Sequence, residues 1–307
     1  MKTLVICGPT ASGKTELAVR LAKKTGGEVI SADCMLVYRG LDIGTAKPAE
    51  SEKEGVPHHM IDIADPCDSY SVSEYTETAG TILKGLLEKG RQPVVCGGTG
   101  FYITSLLFPR QNGNTAADPA LRGELYRFAE ENGNHRLWER LKEADPESAE
   151  KLHENDIRRV VRALEIVYTT GRKKSEQNDG RAPVYDYAAF AFDYPREVLY
   201  DRINRRTDAM LKAGLIEETD RLLRGGVPEN AQCMQGIGYK ETCLYLKNEI
   251  DYGTLRDIIA KNTRNYAKRQ ITFFHHQVPG IVWLDPERAA ENERIILESV
   301  CGTSESL

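Results

Sequence analysis

The sequence lacks long apolar runs and paired cysteines. No apolar run approaches the roughly 18 residues that a membrane-spanning helix needs, so we expect no transmembrane segment. The seven cysteines are scattered and none forms a C-x-x-C pair, which argues for reduced thiols and against a zinc site. The apolar run after Met1 leads into a glycine-rich loop without a cleavage site, which favours a buried strand over a signal peptide. These absences predict a cytoplasmic protein with no membrane partner.

The sequence also lacks an overall excess of basic residues. Its net charge of −5 is unfavourable for binding nucleic acid, but the basic residues are clustered. Residues 151–174 include seven basic and three acidic side chains, and residues 256–269 include five basic and one acidic. In the second cluster, Lys261, Arg264 and Lys268 recur at helical spacing. Each cluster is either a nucleic-acid-binding surface or a solvated helix face, and charge alone does not separate the two.

Strand-like and helix-like segments alternate along most of the chain. The strand-like segments are 3–7, 28–31, 92–96, 188–192 and 281–284. One helix-like segment begins near Gly13, and three others extend over 70–89, 196–224 and 254–276. Such alternation is typical of a doubly wound parallel sheet with helices on both faces.

Residues 110–187 interrupt this alternation. They are charged and helical in pattern, carry no strand signal, and begin with a loop at 111–114. We therefore predict an α/β core formed by residues 1–111 and 188–307, with an all-helical domain inserted over 112–187.

Residues 8–15 have the sequence G-P-T-A-S-G-K-T, which matches the P-loop pattern G-x-x-x-x-G-K-T between a predicted strand and a predicted helix. Backbone N–H groups and the helix N-terminus bind phosphate oxygens, Lys14 adds a charge, and the Thr15 hydroxyl can ligate Mg²⁺. The predicted diphosphate-binding residues are Gly8, Thr10, Ala11, Ser12, Gly13, Lys14 and Thr15. The motif predicts a P-loop NTPase-like core, but it is shared with ATP-binding proteins and indicates only a polyphosphate ligand.

The carboxylate that usually follows a later core strand in NTP-hydrolysing P-loop proteins is missing. The strand 92–96 ends instead in Gly97-Gly98-Thr99-Gly100. This run is either a tight turn or a place where a large planar substrate approaches the backbone. Asp33, after the second strand, is either a general base opposite the P-loop or the cap of a turn.

Several longer motifs accompany the P-loop in a fixed order. They are Ser31-Ala32-Asp33, Y-R-G-L-D-I-G-T-A-K-P over 38–48, G-G-T-G over 97–100, M-Q-G-I-G-Y-K-E over 234–241 and Lys268-Arg269-Gln270. From residue 3 to about residue 285, the chain closely resembles the bacterial tRNA dimethylallyltransferases. The run D-I-G-T-A-K-P is far more specific to this resemblance than the P-loop.

The resemblance implies transfer of a dimethylallyl group from dimethylallyl diphosphate to N6 of the adenine 3′-adjacent to the anticodon in tRNA. It places the diphosphate on residues 8–15 with a Mg²⁺ cofactor at Thr15, and it makes Asp33 the base, acting in catalysis with Lys14 and Thr15. The implied tRNA-binding residues are Asp33, Cys34, Met35, Leu36, Thr99, Arg122, Arg158, Arg159 and Arg162. We expect the helical insertion to grip the anticodon stem-loop, and we expect a monomer.

The chain departs from the family pattern at three positions. Many relatives have serine and glutamine where this chain has Cys34 and Leu36, so side-chain hydrogen bonds from these two positions are not carried over. Many relatives have alanine at the position of Gly236.

Three other functions remain as alternatives. A P-loop small-molecule kinase would explain residues 1–40 but not the basic insertion. An isopentenyltransferase acting on free adenine nucleotides would share the core without needing the insertion. A non-catalytic RNA-binding module would not need Lys14, Thr15 and Asp33 together.

Overall fold

The computed structural model describes residues 1–108, 118–176 and 182–301, except for the Cys301 side chain. The predicted loop at 111–114 lies outside these residues. The chain divides into a core unit, Met1–Leu107 with Val184–Leu307, and an insertion unit, Phe108–Pro183. The prediction assigned Phe108 to the core and residues 184–187 to the insertion, but Phe108 belongs to the insertion unit and residues 184–187 belong to the core unit. The Thr3 N–H donates to the Asp186 carbonyl at 2.7 Å, so pairing with the first strand begins before residue 188.

Six strands form the sheet of the core unit. They are β1 (Thr3–Cys7), β2 (Glu28–Ser31), β3 (His58–His59), β4 (Pro93–Gly97), β5 (Tyr187–Phe192) and β6 (Val282–Leu284). Their order in the sheet is β3-β2-β4-β1-β5-β6, and all neighbouring pairs are parallel. The carboxyl ends of all six strands therefore meet at one edge, where the loops that follow them lie close together.

The helices of the core unit cover both faces of this sheet. They are α1 (Lys14–Thr25), α2 (Glu50–Lys53), α3 (Val72–Glu88), α4 (Gly100–Leu107), α9 (Arg196–Lys212), α10 (Leu215–Arg224), α11 (Tyr239–Leu246), α12 (Tyr252–Gln277) and α13 (Ala289–Cys301). Helices α1 and α13 share one hydrophobic cluster with Leu4 and Ile6 of β1. Successive side chains of a strand point to opposite faces, and Val5, on the other face, is also fully buried. The predicted doubly wound, P-loop NTPase-like fold is confirmed.

The core unit differs from the prediction in several details, since helices α2, α4, α11 and α13 were not predicted. The helical segment 196–224 is two helices, because Gly214 has a φ of 104° and the left-handed conformation ends the helical hydrogen-bond pattern. The two-residue strand β3 was not predicted, since His58 and His59 carry no apolar alternation.

The insertion unit contains helices α5 (Pro119–Asn132), α6 (Asn134–Ala144), α7 (Pro146–Glu150) and α8 (Ile157–Thr170). Its core is a separate cluster that includes Leu125, Leu137, Leu141 and Leu164. The Trp138 indole N–H donates to the carbonyls of Ala149 and Leu152, at 3.1 and 2.9 Å, and so connects α6 to α7 and to the loop that follows α7. No strand occurs among its described residues, as predicted.

Across the described ranges, no helix is long and apolar enough to span a membrane.

Candidate active site

Three neighbouring strands of the core unit deliver the predicted site residues to one edge of the sheet. The P-loop follows β1, Asp33 follows β2, and Thr99 follows β4. Because β2, β4 and β1 lie side by side in that order, these three loops are adjacent. The end of β4 carries no carboxylate, so the loop that would hold a metal-shell aspartate in NTP-hydrolysing relatives of the fold holds Thr99 instead.

The P-loop needs left-handed backbone at two central positions. Ala11 has a φ of 63° and Gly13 has a φ of 80°. Such turns direct successive N–H groups toward one concave surface and leave the start of α1 open to an anion. The Ser12 hydroxyl is fully buried behind this surface and has no hydrogen-bond partner among the described residues. The P-loop backbone is thus shaped for a polyphosphate.

Lys14 lies folded over this loop, where its Nζ donates to the Pro9 carbonyl at 3.0 Å. Burial lowers the pKa of Lys14, and the field of Asp33 acts in the opposite direction. Removing a cation from water is unfavourable unless a negative charge compensates it. A bound diphosphate would supply that charge.

Two arginines of α9, which the sequence reasoning missed, approach the same loop region. Arg202 Nε donates to the Ala11 carbonyl at 2.7 Å, and Arg206 Nη2 lies 3.4 Å from the Thr45 carbonyl. Burial lowers the pKa of Arg206, and Asp33 opposes the shift. Their spacing of four residues on one helix was the available signal, but it is common on solvated helices.

Asp33 is half-buried and begins a turn. Its Oδ1 accepts a hydrogen bond from the Met35 N–H at 2.9 Å. In the part of the chain that the structure describes, Oδ2 accepts no hydrogen bond and remains available to accept a proton. The turn-capping and general-base interpretations of Asp33 are therefore compatible, because each uses a different oxygen.

Cys34 and Thr99 join the ends of β2 and β4. Thr99 Oγ1 accepts from the Cys34 N–H at 3.0 Å, and the Thr99 N–H donates to the Ala32 carbonyl at 3.0 Å. Burial raises the pKa of the Cys34 thiol to about 11, with Asp33 adding to the shift. The thiol is therefore protonated near neutral pH, and a protonated thiol is a poor nucleophile.

Met35, the next residue of this segment, packs against one of the three departures from the family pattern. A Cβ added at Gly236 would lie 2.4 Å from the Met35 Cε, so the glycine makes room for the end of the Met35 side chain. Met35 and Leu36 are both half-buried.

The Gly97-Gly98-Thr99-Gly100 turn does not leave space for a substrate beside its glycines. A Cβ on Gly97 would lie 2.1 Å from the Ala32 carbonyl oxygen, and one on Gly100 would lie 2.3 Å from the Phe273 ring. A Cβ on Gly98 would lie 2.3 Å from Gln270 Nε2. The interpretation that these glycines leave room for a large planar substrate is wrong, because protein atoms fill the space where their Cβ atoms would lie. The tight-turn interpretation is correct.

Gln270 links this turn to the P-loop. Its Oε1 accepts from the Thr10 N–H at 2.9 Å, and its Nε2 donates to the Gly98 carbonyl at 2.8 Å. The Thr10 N–H, predicted to contact the diphosphate, is therefore already bonded within the protein. The sequence contained Gln270 in a motif of the resemblance, but nothing in the sequence indicated these two partners.

Glu218, which is almost fully buried, forms hydrogen bonds with the backbone of the D-I-G-T-A-K-P run. The Glu218 carboxylate accepts hydrogen bonds from the backbone N–H groups of Asp42, Ile43 and Gly44, at 3.0, 2.8 and 3.1 Å, and from the Tyr239 hydroxyl at 2.6 Å. These bonds fix the loop whose Thr45 carbonyl lies near Arg206.

Lys47 closes the other end of this run. Its Nζ donates to the Tyr38 carbonyl at 2.9 Å and pairs with the carboxylates of Asp42 and Asp62. The residues of the D-I-G-T-A-K-P run therefore have structural roles, because their backbone and side chains make the bonds that hold this loop in place.

The four predicted tRNA-binding arginines lie in the insertion unit and differ in their partners. Arg122 forms two hydrogen bonds with Glu165, at 2.8 and 2.9 Å, and Arg162 forms another at 2.5 Å. Glu165 is fully buried. Burial alone would raise the pKa of Glu165, but the hydrogen bonds from Arg122, Arg162 and the Asp118 N–H outweigh it and hold the pKa below its usual range. Arg122 and Arg162 therefore have a structural role, whatever else they contact.

Arg158 and Arg159 are exposed at the first turn of α8. Arg159 lies 3.4 Å from the Asp156 carboxylate, an exposed pairing of little energetic weight. These two side chains are the better placed of the four to meet a phosphate.

The second basic cluster, on α12 of the core unit, is partly internal. Arg264 Nη1 donates to Asn204 Oδ1 at 2.6 Å and lies over the Tyr200 ring. Lys261 and Lys268 are exposed.

No group of three or more His, Cys, Asp or Glu side chains suited to a metal occurs within the described residues. The Thr15 hydroxyl is exposed at the start of α1, beside the phosphate-shaped loop. Mg²⁺ commonly takes one or two protein oxygens together with phosphate oxygens and waters. Thr15 fits that mode of binding.

Comparison with known proteins agrees with this geometry. A profile of the family described as IPP transferase matches residues 36–277, and one described as isopentenyl transferase matches residues 1–65. The chain is 43% identical over 297 residues to the tRNA dimethylallyltransferase of Acetivibrio thermocellus, covering 95% of this chain and 94% of the relative. It is 45% identical over 290 residues to that of Exiguobacterium sp., covering 93% and 90%.

Solved structures give the same result. The full-length tRNA isopentenylpyrophosphate transferase from Bacillus halodurans matches with a TM-score of 0.72 and 40% identity, covering 96% of this chain and 95% of that one. A eukaryotic dimethylallyltransferase acting on tRNA matches with a TM-score of 0.81 and 29% identity, covering 97% and 78%.

Proposed function

The chain belongs to the IPP transferase family, and from that premise we propose how its residues move a dimethylallyl group from a diphosphate to tRNA. It is a tRNA dimethylallyltransferase, an enzyme of prenyl transfer. The acceptor that we propose is N6 of the adenine 3′-adjacent to the anticodon. The observation that most directly supports prenyl transfer from a diphosphate is the position of the P-loop, Asp33 and Thr99 on three adjacent strand ends, with no carboxylate after β4.

The P-loop holds the leaving group. As the bond between the allylic carbon and the diphosphate oxygen breaks, negative charge develops on the diphosphate. The N–H groups of the loop, the start of α1 and Lys14 lie where they stabilise that charge, and such fixed charges and dipoles are effective where water is excluded. Arg202 and Arg206 add positive charge on the α9 side of the loop. Mg²⁺, when bound at Thr15, supplies further charge neutralisation on the diphosphate.

Asp33 accepts the proton of the nucleophile. A new bond forms between N6 of adenine and the allylic carbon, and the N6 proton passes to Asp33 Oδ2. An allylic carbon tolerates a loose, cation-like transition state, so a single carboxylate is sufficient activation. The hydrogen bond from the Met35 N–H to Oδ1 orients the carboxylate for this role.

The base must leave the stack of the anticodon loop before it reaches Asp33. We propose that the insertion unit grips the anticodon stem-loop through phosphate contacts, chiefly from Arg158 and Arg159. The residues beside Asp33, namely Cys34, Met35, Leu36 and Thr99, contact the tRNA near the flipped base. Since Cys34 and Leu36 offer no strong side-chain donor, their contribution is through shape and backbone groups. The proposed setting is the cytoplasm, and the proposed form is a monomer.

The deciding experiment is transfer of labelled dimethylallyl diphosphate to unmodified tRNA in the absence of ATP. We expect label in the tRNA that depends on added Mg²⁺ and on the adenine beside the anticodon. Label in free adenine nucleotides but not in tRNA would favour the nucleotide isopentenyltransferase. Transfer of phosphate from ATP to a small molecule would favour a kinase, and tRNA binding without any transfer would favour a non-catalytic module.

A further inference from the structure

Gln270 lies between the P-loop and the turn that follows β4. It lies on α12 with 5% of its surface exposed, and both ends of its amide are used. Oε1 faces an N–H of the P-loop and Nε2 faces a carbonyl of the turn after β4, at 2.9 and 2.8 Å. The two partners assign the orientation of the amide, because only its oxygen accepts and only its nitrogen donates.

The two loops that Gln270 joins are the continuations of paired strands. Strands β1 and β4 pair in parallel as far as Cys7 and Gly97, after which one chain becomes the P-loop and the other becomes the turn that contains Thr99. The Gln270 amide spans the gap at Thr10 and Gly98, so it acts as one further connection beyond the end of the β1–β4 ladder.

The turn held by Gln270 leads directly to the proposed base. Thr99, next to Gly98, accepts from the Cys34 N–H and donates to the Ala32 carbonyl. These bonds bracket Asp33 on both sides in the sequence. A shift of the turn at Gly98 would therefore move the segment that carries Asp33 relative to the P-loop.

We propose that Gln270 is a positioning residue, which fixes the spacing between the loop that holds the diphosphate and the segment that carries Asp33. The inference rests on the proposed function, since it concerns transfer from that diphosphate to a base beside Asp33. Both polar atoms of the Gln270 amide are bonded to these two loops, so in this proposal Gln270 acts through the loops and not on a substrate. Its loss should lower the rate of transfer more than it weakens the binding of either substrate, because a displacement of about 1 Å costs on the order of 100-fold in rate.

The first test replaces Gln270 with methionine, which keeps the length of the side chain and removes its donor and acceptor. The matched control is Gln277→Met, at the exposed end of the same helix. The measurements are kcat, KM for dimethylallyl diphosphate and for tRNA, and the affinity for inorganic pyrophosphate. For Gln270→Met we expect kcat to fall by about 100-fold with both KM values within a few-fold, and we expect the control to match the wild type.

Two results would overturn the inference. One is a near-native kcat for Gln270→Met. The other is a loss of pyrophosphate affinity as large as the loss of rate, which would make Gln270 part of the diphosphate-binding loop only. A wild-type protein that fails to transfer the prenyl group would instead refute the proposed function.

The second test does not depend on the stability of Gln270→Met. In Gly98→Ala the new Cβ would lie 2.3 Å from Gln270 Nε2, so the amide must leave its place. Gly98 does not have a positive φ, so alanine is compatible with the backbone. Gln270→Ala, which removes the whole amide, should lower kcat by about 100-fold as Gln270→Met does. We expect Gly98→Ala to lower kcat by a similar factor, and the double variant Gly98→Ala/Gln270→Ala to be no slower than Gln270→Ala alone. Losses that simply add would show that the two residues act separately, and the proposal would be abandoned.

Discussion

Asp33 has two carboxylate oxygens in different environments, and its proposed role depends on that difference. In Asp33→Asn, the amide oxygen can still accept from the Met35 N–H, so the turn is preserved. The side chain can no longer take a proton. We expect diphosphate and tRNA binding within a few-fold of wild type and a transfer rate lower by roughly 10²–10⁴, measured in single-turnover assays.

Asp65 provides a matched control for this substitution. Asp65 is exposed, and its Oδ1 accepts from the N–H two residues ahead, that of Cys67, at 2.9 Å, so Asp65→Asn tests the same turn away from the site. Asp33 would have no part in the mechanism if its asparagine variant kept a near-native rate.

Lys14 and Thr15 are expected to act on the leaving group alone. Lys14→Ala removes the cation folded over the P-loop, and Thr15→Ala removes the proposed Mg²⁺ ligand. Both should impair the use of dimethylallyl diphosphate, and Thr15→Ala should also raise the Mg²⁺ concentration that activity requires. Binding of tRNA, measured by filter retention or fluorescence anisotropy, should be nearly unchanged.

Lys23→Ala, on the outer part of α1, serves as the control for loss of a lysine from the same helix. Equal losses of tRNA affinity in Lys14→Ala would indicate that the P-loop holds an RNA phosphate rather than the diphosphate.

At the scale of the element, helix α8 divides its arginines between two tasks. Arg158 and Arg159 are exposed, whereas Arg162 pairs with the buried Glu165. The double variant Arg158→Ala/Arg159→Ala should bind tRNA more weakly. The slope of log affinity against log salt concentration should become shallower by roughly one unit or less per lost contact. Pyrophosphate affinity should stay as it was.

A control double variant that removes the same charge elsewhere in the insertion unit tests whether the position of the arginines on α8 matters. Arg127 and Arg136 are exposed on α5 and α6 of the same unit, and their change to alanine removes the same charge. An unchanged salt slope in the α8 variant, or an equal change in this control, would rule out the proposed grip by α8. The basic residues of α12 would then become the better candidates.

Arg162→Ala should act on stability instead. Because it removes one of the hydrogen bonds that compensate the buried Glu165 carboxylate, it should cost on the order of 2 kcal/mol in the insertion unit. Trp138 fluorescence in a Trp283→Phe background reports unfolding of that unit. A stability equal to that of wild type would mean that Arg122 alone satisfies Glu165.

At the scale of the whole molecule, each unit has its own hydrophobic core and its own tryptophan. Trp138 lies in the insertion unit and Trp283 in the core unit. We expect the two fluorescence signals, measured in single-tryptophan variants, to give separate urea transitions. Pyrophosphate at about 100 times its Kd should stabilise the core unit by about 2.7 kcal/mol and leave the insertion unit unchanged.

This result would also locate the diphosphate site independently of activity. Identical shifts of both signals would show that the units unfold together. A shift of the Trp138 signal alone would place the pyrophosphate in the insertion unit and contradict the assignment of the P-loop.

The sequence by itself determined the class of fold, the presence of a helical insertion, and the positions of the P-loop and Asp33 after the first two predicted strands. These features are written in local patterns. Apolar alternation, helical periodicity and glycine spacing act over a few residues, and the strand-loop-helix context of residues 3–25 is contiguous. The boundary at 187 and the break at Gly214 were less well defined, since a single hydrogen bond decides the first and a single left-handed residue decides the second.

Only the tertiary structure decided how the site is supported. Gln270 meets Thr10 across 260 residues of sequence, and Glu218 meets Asp42 across 176. In the same way, the buried Glu165 forms ion pairs with Arg122 and Arg162, which the sequence presented only as basic residues. The glycines after β4, which suggested room for a substrate, lie against Ala32, Gln270 and Phe273. The physical reason is that periodicity shows which face of an element is buried, whereas the pairing of buried polar groups depends on which distant elements the fold brings within hydrogen-bond distance.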